Sequence, residues 1–279
     1  MASLKELRNR ITSVEATRKI TRAMQMVAAS KLRRAQEAAA AARPYAARMA
    51  QVLKNLTHGV VVGEGTHPLL AGTGKDPKDE VHLLIVVTSE RGLCGGFNGS
   101  IARRARMDAM RLRGSGKQIK ILCVGRKGYD VLKRYFADEL LPLITYLEKK
   151  SVGFAQAQEV AAQVLADYDM GGFDIATLYY ANFINVLTQE TTSYQIIPQV
   201  LKADAPEDTS KEEDTSTDLK GAVYDYEPDE STILESLLPR YVAVQILRAL
   251  LENAAGEQGA RMSAMDSATR NAGEMIDAL

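Results

Sequence analysis

The sequence is poor in the residues that build disulfide frameworks and metal sites. Its 279 residues include two cysteines, Cys94 and Cys123, and neither belongs to a Cys-x-x-Cys pair. The three histidines, His58, His67 and His82, have no metal-ligand spacing with them. A disulfide scaffold and a structural zinc site are therefore not expected, and the composition suits a reducing compartment.

Long apolar runs and catalytic groupings are also missing. No run of eighteen apolar residues occurs, so no membrane-spanning helix is expected. The opening MASLKELRNR leads directly into a helical pattern, without the apolar core of a secretory signal. No Ser/His/Asp set, carboxylate pair or metal cluster stands out. The residues alone predict a folded, non-enzymatic protein with no cofactor and no metal.

Net charge is absent as well, but the charges are unevenly distributed. The 35 Lys+Arg balance 35 Asp+Glu, which argues against a surface wholly committed to nucleic acid. Residues 1–50 hold eleven Lys/Arg and three Asp/Glu, hence +8, whereas residues 204–235 hold two Lys and twelve Asp/Glu, hence −10. Charge segregated in this way indicates separate partners.

The first segment predicts one very long helix. Thr17 and Arg18 interrupt its apolar stripe, so we expect an imperfect heptad register. Residues that favour helices continue past Pro44 to about Leu56, which predicts a bend at the proline rather than an end. The apolar positions, at spacings of three and four, are Leu4, Leu7, Ile11 and Val14, then Ile20, Ala23, Met24 and Val27.

The middle segment predicts an α/β domain. Apolar runs typical of buried strands occupy 81–88, 119–124 and 175–180, and 189–198 resembles a further strand. Helical stretches at 99–113, 127–138 and 153–168 lie between them. This alternation predicts a mainly parallel sheet with helices against it.

The last segment predicts an acidic, solvated loop followed by a second long helix. Gly256 and Gly259 are expected to weaken this helix locally, and the lack of a stop signal suggests that it continues beyond Leu279. A helix of about 55 residues is roughly 80 Å long, whereas an α/β domain of about 120 residues is only roughly 35 Å across. The terminal helices must therefore project and pair as an antiparallel coiled coil.

The predicted organisation is thus a rod with a globular domain. It comprises a shaft helix at 1–57, a linker at 58–80, an α/β domain at 81–202, an acidic loop at 203–230 and a second shaft helix at 231–279.

One glycine-rich motif, SERGLCGGFNG at 89–99, follows a strand and precedes a helix. Such a turn could hold a phosphate, which leaves a dinucleotide enzyme in 81–200 as one hypothesis. The motif lacks the P-loop lysine and does not fit Gly-x-Gly-x-x-Gly, so a structural turn is favoured. Cys94 lies in this turn without a histidine partner nearby, and a catalytic thiol is not expected.

The basic part of the first helix allows three hypotheses: a nucleic-acid adaptor, contact with an acidic protein, or a solvated face. Aromatic residues for stacking on bases are sparse, since only Tyr45 occurs in the helix. An acidic partner explains the charge equally well. In the loop, the tyrosines and carboxylates of YDYEPDE suit a contact with basic loops, with an ordinary packed turn as the alternative.

Three stretches together resemble one family. They are RITSVEATRKITRAMQMVAASKLRRAQ, TSERGLCGGFN and ALLENAAGEQGARMSAMDSATRNAGEMI. In this order, over nearly the whole chain, they resemble the gamma subunits of F-type ATP synthase. The segment MQMVAASKLRRAQ resembles bacterial, alphaproteobacterial-like members of that family.

The resemblance implies a rotor. The coiled coil would be the central shaft within a hexamer of three alpha and three beta subunits, and a Rossmann-like domain without nucleotide would stand on the c ring beside the epsilon subunit. One copy would transmit torque from proton flow, as a non-catalytic peripheral protein on the cytoplasmic face of the bacterial inner membrane. Nucleotide chemistry would take place on beta.

The resemblance also implies contact residues. In the family, an acidic loop of the beta subunit, the lever, contacts the shaft. The resemblance makes Arg8, Lys19, Arg22, Met24, Lys31 and Arg33 candidates for this contact. Candidates for contact with the c ring and epsilon are Tyr224, Asp225, Tyr226 and Glu227. Two departures from the family are an acidic insertion at 207–218 and the end at Leu279, beyond which the family continues.

Overall fold

The computed structural model describes residues 4–57, 66–149, 152–199 and 230–279. Its elements are α1 (Leu4–Thr57), α2 (Pro68–Ala71), β1 (Val81–Val87), α3 (Phe97–Gly114), β2 (Gln118–Val124), α4 (Arg126–Leu132), α5 (Phe154–Asp169), β3 (Ile175–Phe183), β4 (Gln189–Ile197) and α6 (Glu230–Asp277).

The four strands form one sheet in the order β2-β1-β3-β4. β1 pairs in parallel with β2 and β3, while β4 is antiparallel to β3. The run Leu83–Val87 is at most 1% exposed, because helices cover both faces of the sheet. One core cluster includes residues of α5 and α6, and the other, on the opposite face, includes residues of α3. The α/β prediction is confirmed.

The coiled coil of terminal helices is confirmed too. α1 runs unbroken through Pro44. In three contacts between the two helices, the residue number rises along α1 while that of its partner on α6 falls. Thr21 Oγ1 lies 2.8 Å from Thr269 Oγ1, and Gln25 Nε2 donates to Asp266 Oδ1 at 3.0 Å. Arg43 pairs with Glu252. The two helices are therefore antiparallel.

The middle of α6 is buried on every side. Val242, Val244, Ile246 and Ala249 are at most 2% exposed, because this stretch lies between α1 and the sheet. Further along, beyond about Ala264, α6 continues beside α1 and is mostly half-exposed. One helix therefore belongs to the core of the domain at one end and to the shaft at the other.

The region predicted as a linker contains a short helix. In α2, Leu69 and Leu70 are buried, and His67 Nδ1 accepts a hydrogen bond from Leu69 N–H. Tyr168 Oη donates to Pro68 O at 2.9 Å, which ties α2 to α5. A four-residue helix has no periodicity to detect, so the sequence pattern could not reveal it.

Asp174 secures the chain that enters β1. It is 2% exposed and accepts hydrogen bonds from Thr73 Oγ1 at 2.6 Å and Val81 N–H at 2.8 Å, and Lys75 Nζ lies 2.9 Å from its carboxylate. Burial acts to raise the pKa of Asp174, but these hydrogen bonds and the lysine outweigh it and hold the pKa below its usual value.

A pH dependence of stability follows from Asp174. Because its pKa is depressed in the folded state, its contribution is fully present above the unfolded pKa of about 4 and is lost as pH falls through the lower, folded pKa. We expect Asp174→Asn to lower the free energy of unfolding at pH 7 by about 1–3 kcal/mol, and the loss to shrink below about pH 4. Urea unfolding at pH 7 and at a pH below about 4 measures this loss of stability. The control is Asp79→Asn, a substitution at an exposed aspartate. An equal loss at both pH values would contradict the assignment.

Candidate functional site

The shaft is the first candidate surface because much of α1 faces solvent with both charge and apolar side chains. Ile20, Met26 and Val27 are 60%, 69% and 55% exposed. The seam with α6 instead uses Thr21, Gln25 and Ala28, which are buried or half-buried. Of the predicted stripe Ile20, Ala23, Met24 and Val27, only Met24 is half-buried. The other three are wrong as a packing face and form an exposed apolar strip on the outer side of the shaft.

The heptad register continues through the expected interruption, which is confirmed at a single seam position, Arg18. Half-buried Val14 is followed by Thr21, Ala28 and half-buried Ala35 at intervals of seven, so the interruption affects only Arg18, which is exposed at a seam position. A threonine can occupy the seam because its hydroxyl bonds to a partner hydroxyl. The polar pairs in the seam also specify how the two helices align.

The candidate lever contacts do not form one cluster. Met24 is half-buried, and the five cations are exposed; Arg33 pairs with Glu37 at 3.0 Å. Residues that differ by multiples of seven share a side of the shaft, which pairs Arg8 with Arg22, Met24 with Lys31, and Lys19 with Arg33. Arg22 and Lys19 are three residues apart and so are neighbours on the helix surface, which places the predicted set on two sides of the shaft. The other predicted contacts, Tyr224–Glu227, lie outside the described residues.

The shaft is attached to the domain at a joint formed by Glu252, Gly256, Gly259 and Arg261 of α6. The carboxylate of Glu252, a side chain 6% exposed, accepts a hydrogen bond from Phe183 N–H of β3 at 3.2 Å and lies 3.7 Å from Arg43 of α1. One residue therefore links both shaft helices to the sheet. Arg261 donates to Gly92 O at 3.1 Å beyond it.

The two helix glycines have a packing role at this joint. A Cβ on Gly256 would lie 2.8 Å from the Phe97 ring, and one on Gly259 would lie 3.1 Å from the Phe183 ring. Both glycines therefore let α6 approach the domain closely. Sequence reasoning treated them only as local weak points in the helix, because the contact joins residues distant in sequence.

The glycine-rich motif belongs to the same joint. Its Phe97 packs on Gly256, its Gly92 accepts from Arg261, and a Cβ on Gly95 would touch Ala264. Leu93 has φ of 64°, an unusual value for a residue with a side chain. The motif thus shapes the surface on which α6 lies.

At the carboxyl edge of β1, where a nucleotide would be expected, Glu90 and Asn98 bond to other parts of the protein. Glu90 accepts hydrogen bonds from Arg126 N–H, Thr145 Oγ1 and Tyr146 N–H at 3.2, 2.9 and 2.6 Å. Its carboxylate lies at the start of α4, the helix that follows β2. Asn98 likewise accepts from Ser89 N–H. At the start of α3 the motif borders a cavity of about 320 Å³ that includes Gly95, Gly96 and Ser100, and no lysine or arginine of the described residues lines it to pair with a phosphate.

Cys94 is a buried thiol in the same motif. Burial raises its pKa, while nearby Arg261 acts in the opposite direction, and Asn98 Nδ2 donates to Sγ at 3.1 Å. A thiol that stays protonated is a poor nucleophile. Within the described ranges, no group of three His, Cys, Asp or Glu side chains could hold a metal ion. In the same ranges, the length and hydropathy that a membrane-spanning helix requires are not found together in any helix.

Comparison with known proteins agrees with this architecture. A family model described as "ATP synthase" matches residues 3–279. The "ATP synthase gamma chain" of Parvibaculum lavamentivorans is 56% identical over 279 residues, 100% of this chain and 91% of the relative. That of Methylobacterium nodulans is 58% identical over 276 residues, covering 99% and 90%.

A solved structure shares the fold. The central stalk and c ring structure of Tetrahymena thermophila mitochondrial ATP synthase contains a chain that is 27% identical, with a TM-score of 0.64, covering 89% of this chain and 99% of that chain. The rod, the joint and the domain thus define a subunit of a rotary stalk. The chain belongs to the family of ATP synthase gamma chains, whose relatives named above are alphaproteobacterial.

Proposed function

We propose that this chain carries torque along the shaft between the α/β domain and a hexamer of three alpha and three beta subunits, without catalysing a reaction itself. The observation that supports it best is the joint, where Glu252 links α1, α6 and the sheet at once. A rotating domain can turn both shaft helices only if it is attached to both.

The distribution of contact residues suits a shaft that rotates inside a ring. Exposed Arg8, Lys19, Arg22 and Arg33 occupy one side of α1 and exposed Lys31 another, and the apolar strip that includes Ile20 and Val27 lies between them. Each beta subunit would meet a different surface as the shaft turns. Because a binding partner shifts a two-state equilibrium only through different contacts with the two states, this asymmetry would drive the beta sites through their conformations in turn.

The opposite end of the domain is the proposed base. Arg261 contacts Gly92 beyond the carboxyl end of β1, so the shaft leaves the domain at that edge. The end of β4, Ile197, pairs with Ala176 near the start of β3, and the chain enters residues 200–229 at that opposite edge. We propose that the c ring and epsilon subunit bind at this edge, with one copy of the chain at the cytoplasmic face of the bacterial inner membrane. Tyr224, Asp225, Tyr226 and Glu227, which lie outside the described residues, stay the predicted contacts.

Reconstitution tests this function. Alone, the purified chain should hydrolyse no ATP; with alpha and beta subunits it should assemble and support hydrolysis. Robust hydrolysis by the chain alone, or failure to assemble, would sink the proposal. A nucleic-acid adaptor would instead bind duplex or single strands at physiological salt, with a salt slope that reports several neutralised phosphates.

Met24→Lys is expected to impair coupling more than folding. Met24 is half-buried beside exposed cations, so a further cation would weaken an apolar contact with the beta lever while the seam stays intact. ATP-driven proton pumping per ATP hydrolysed, measured in reconstituted membranes, should fall by roughly half or more. The melting temperature should change by only a few degrees. Met170→Lys, at a 79% exposed methionine of the domain, is the control and should pump normally.

A further inference from the structure

The two helical layers of the α/β domain differ in charge. α3 carries five arginines, one aspartate and no lysine, hence +4, whereas α5 carries three acidic residues and no cation, hence −3. The sum over residues 51–203 hides this difference because it is only +3. Charge of one sign on one side of a domain indicates a particular neighbour on that side.

The exposed side of α3 combines these arginines with apolar groups. We call Arg103, Arg104, Met107, Met110 and Arg111 the arginine face. Met107 and Met110 are 60% and 41% exposed, and all three arginines are exposed. The inner side of the helix, with Ile101, Ala105 and Ala109, is buried against the sheet.

Two of the arginines are held in place. Arg104 Nε lies 3.1 Å and Arg111 Nη2 3.2 Å from the carboxylate of Asp108, whose side chain is 14% exposed. Tyr179 Oη donates to the same carboxylate at 3.2 Å. A single negative charge therefore positions two guanidinium groups and leaves one positive charge in excess. Arg103 has no carboxylate partner in the part of the chain that the structure describes.

The composition of the face favours a protein partner over a lipid surface. Arginine and methionine are enriched at protein interfaces and lysine is depleted there, which matches a helix with five arginines, two exposed methionines and no lysine. Guanidinium groups fixed by Asp108 can pair with carboxylates without losing much side-chain freedom. Methionine adapts to irregular apolar surfaces.

We propose that the arginine face docks an acidic segment of another subunit, one that also places apolar side chains between the arginines. The face lies on the side of the sheet opposite α5, so this partner sits away from the hexamer contacts on the shaft. The proposal rests on the assembly described under Proposed function.

Photo-crosslinking in the assembled complex tests this docking. A benzoylphenylalanine replaces Met107 in the purified membrane-bound complex, and another replaces Met170 at the end of α5 as the position control. We expect Met107 to give a crosslink to another polypeptide at a peptide rich in Asp and Glu, and Met170 to give none to that peptide. Arg103→Glu should lower the Met107 crosslink yield by about tenfold. Arg48→Glu, an identical substitution on exposed α1, should leave it unchanged.

The docking proposal is overturned by the following results of the crosslinking experiment. A crosslink from Met107 to phospholipid, to a peptide without acidic residues or only within this chain would do so, as would a yield unaffected by Arg103→Glu. Failure of the unsubstituted chain to assemble would overturn the proposed function, whereas normal assembly without a Met107 crosslink would overturn only the docking. A melting curve of each variant separates loss of docking from loss of fold.

Discussion

Glu252→Ala is expected to lower the free energy of unfolding by about 3 kcal/mol and to uncouple rotation from hydrolysis. The substitution leaves the N–H of Phe183 without its carboxylate acceptor and removes the 3.7 Å contact of Glu252 with Arg43, and losing a buried charged hydrogen-bond acceptor costs about that much. Because Glu252 joins α1, α6 and β3, its loss should also make the joint more compliant under torque.

Two measurements check this first prediction. Urea unfolding gives the stability loss, and proton pumping per ATP in the reconstituted complex gives the coupling. Exposed Glu235 on the same helix provides the matched Glu→Ala control and should change both by little. Glu252→Gln keeps an acceptor for Phe183 and should lie between the two. Normal pumping by a clearly destabilised Glu252→Ala variant would show that Glu252 stabilises the fold but transmits no torque.

Gly125→Ala should have the largest effect on stability. Gly125 has φ of +105°, and a Cβ there would lie 2.1 Å from the carbonyl oxygen of Thr88. The backbone atom cannot move without disturbing the end of β1, because Thr88 N–H itself bonds to Val124 O. Strain in φ and the steric overlap together should cost about 3 kcal/mol or more.

Gly116→Ala separates the two costs. Gly116 has φ of +80° but open space around the position of a Cβ. Alanine at this position is therefore destabilising through the backbone angle alone, by about 1 kcal/mol. Denaturant unfolding of both variants gives the difference, which is the cost of the contact with Thr88. Equal losses in the two variants would mean that the chain near Gly125 relaxes and that the close approach is not required.

Most of the fold could be predicted from local pattern. The apolar runs at 81–88 and 119–124 indicated parallel strands because helices cover both faces of such strands. The rod followed from length, since a 54-residue helix cannot lie on a domain of this size. α4, by contrast, ends at Leu132 rather than near Asp138, because Lys133–Phe136 form a turn that helix propensity alone does not distinguish from a helix.

The shaft surface was harder to predict. Two apolar stripes run along α1, one through Ile20 and Val27 and one through Ala28 and Leu32, and both have helical spacing. Only contact with α6 decides which is buried, and it is the stripe with small and polar residues at Thr21 and Gln25. Their hydroxyl and amide groups find partners in Thr269 and Asp266, a pairing between residues more than two hundred positions apart.

By itself, the sequence determined the long helices, the strands, the rod and the family, because helix and strand periods, buried runs and motif order are local properties of the chain. Only the tertiary structure decided which stripe of α1 faces solvent, why Gly256 and Gly259 interrupt α6, and how Glu252 joins three elements. The physical reason is the same in each case. A close approach or a buried carboxylate is stabilised by atoms far away in sequence, and neither leaves a periodic pattern in its own segment.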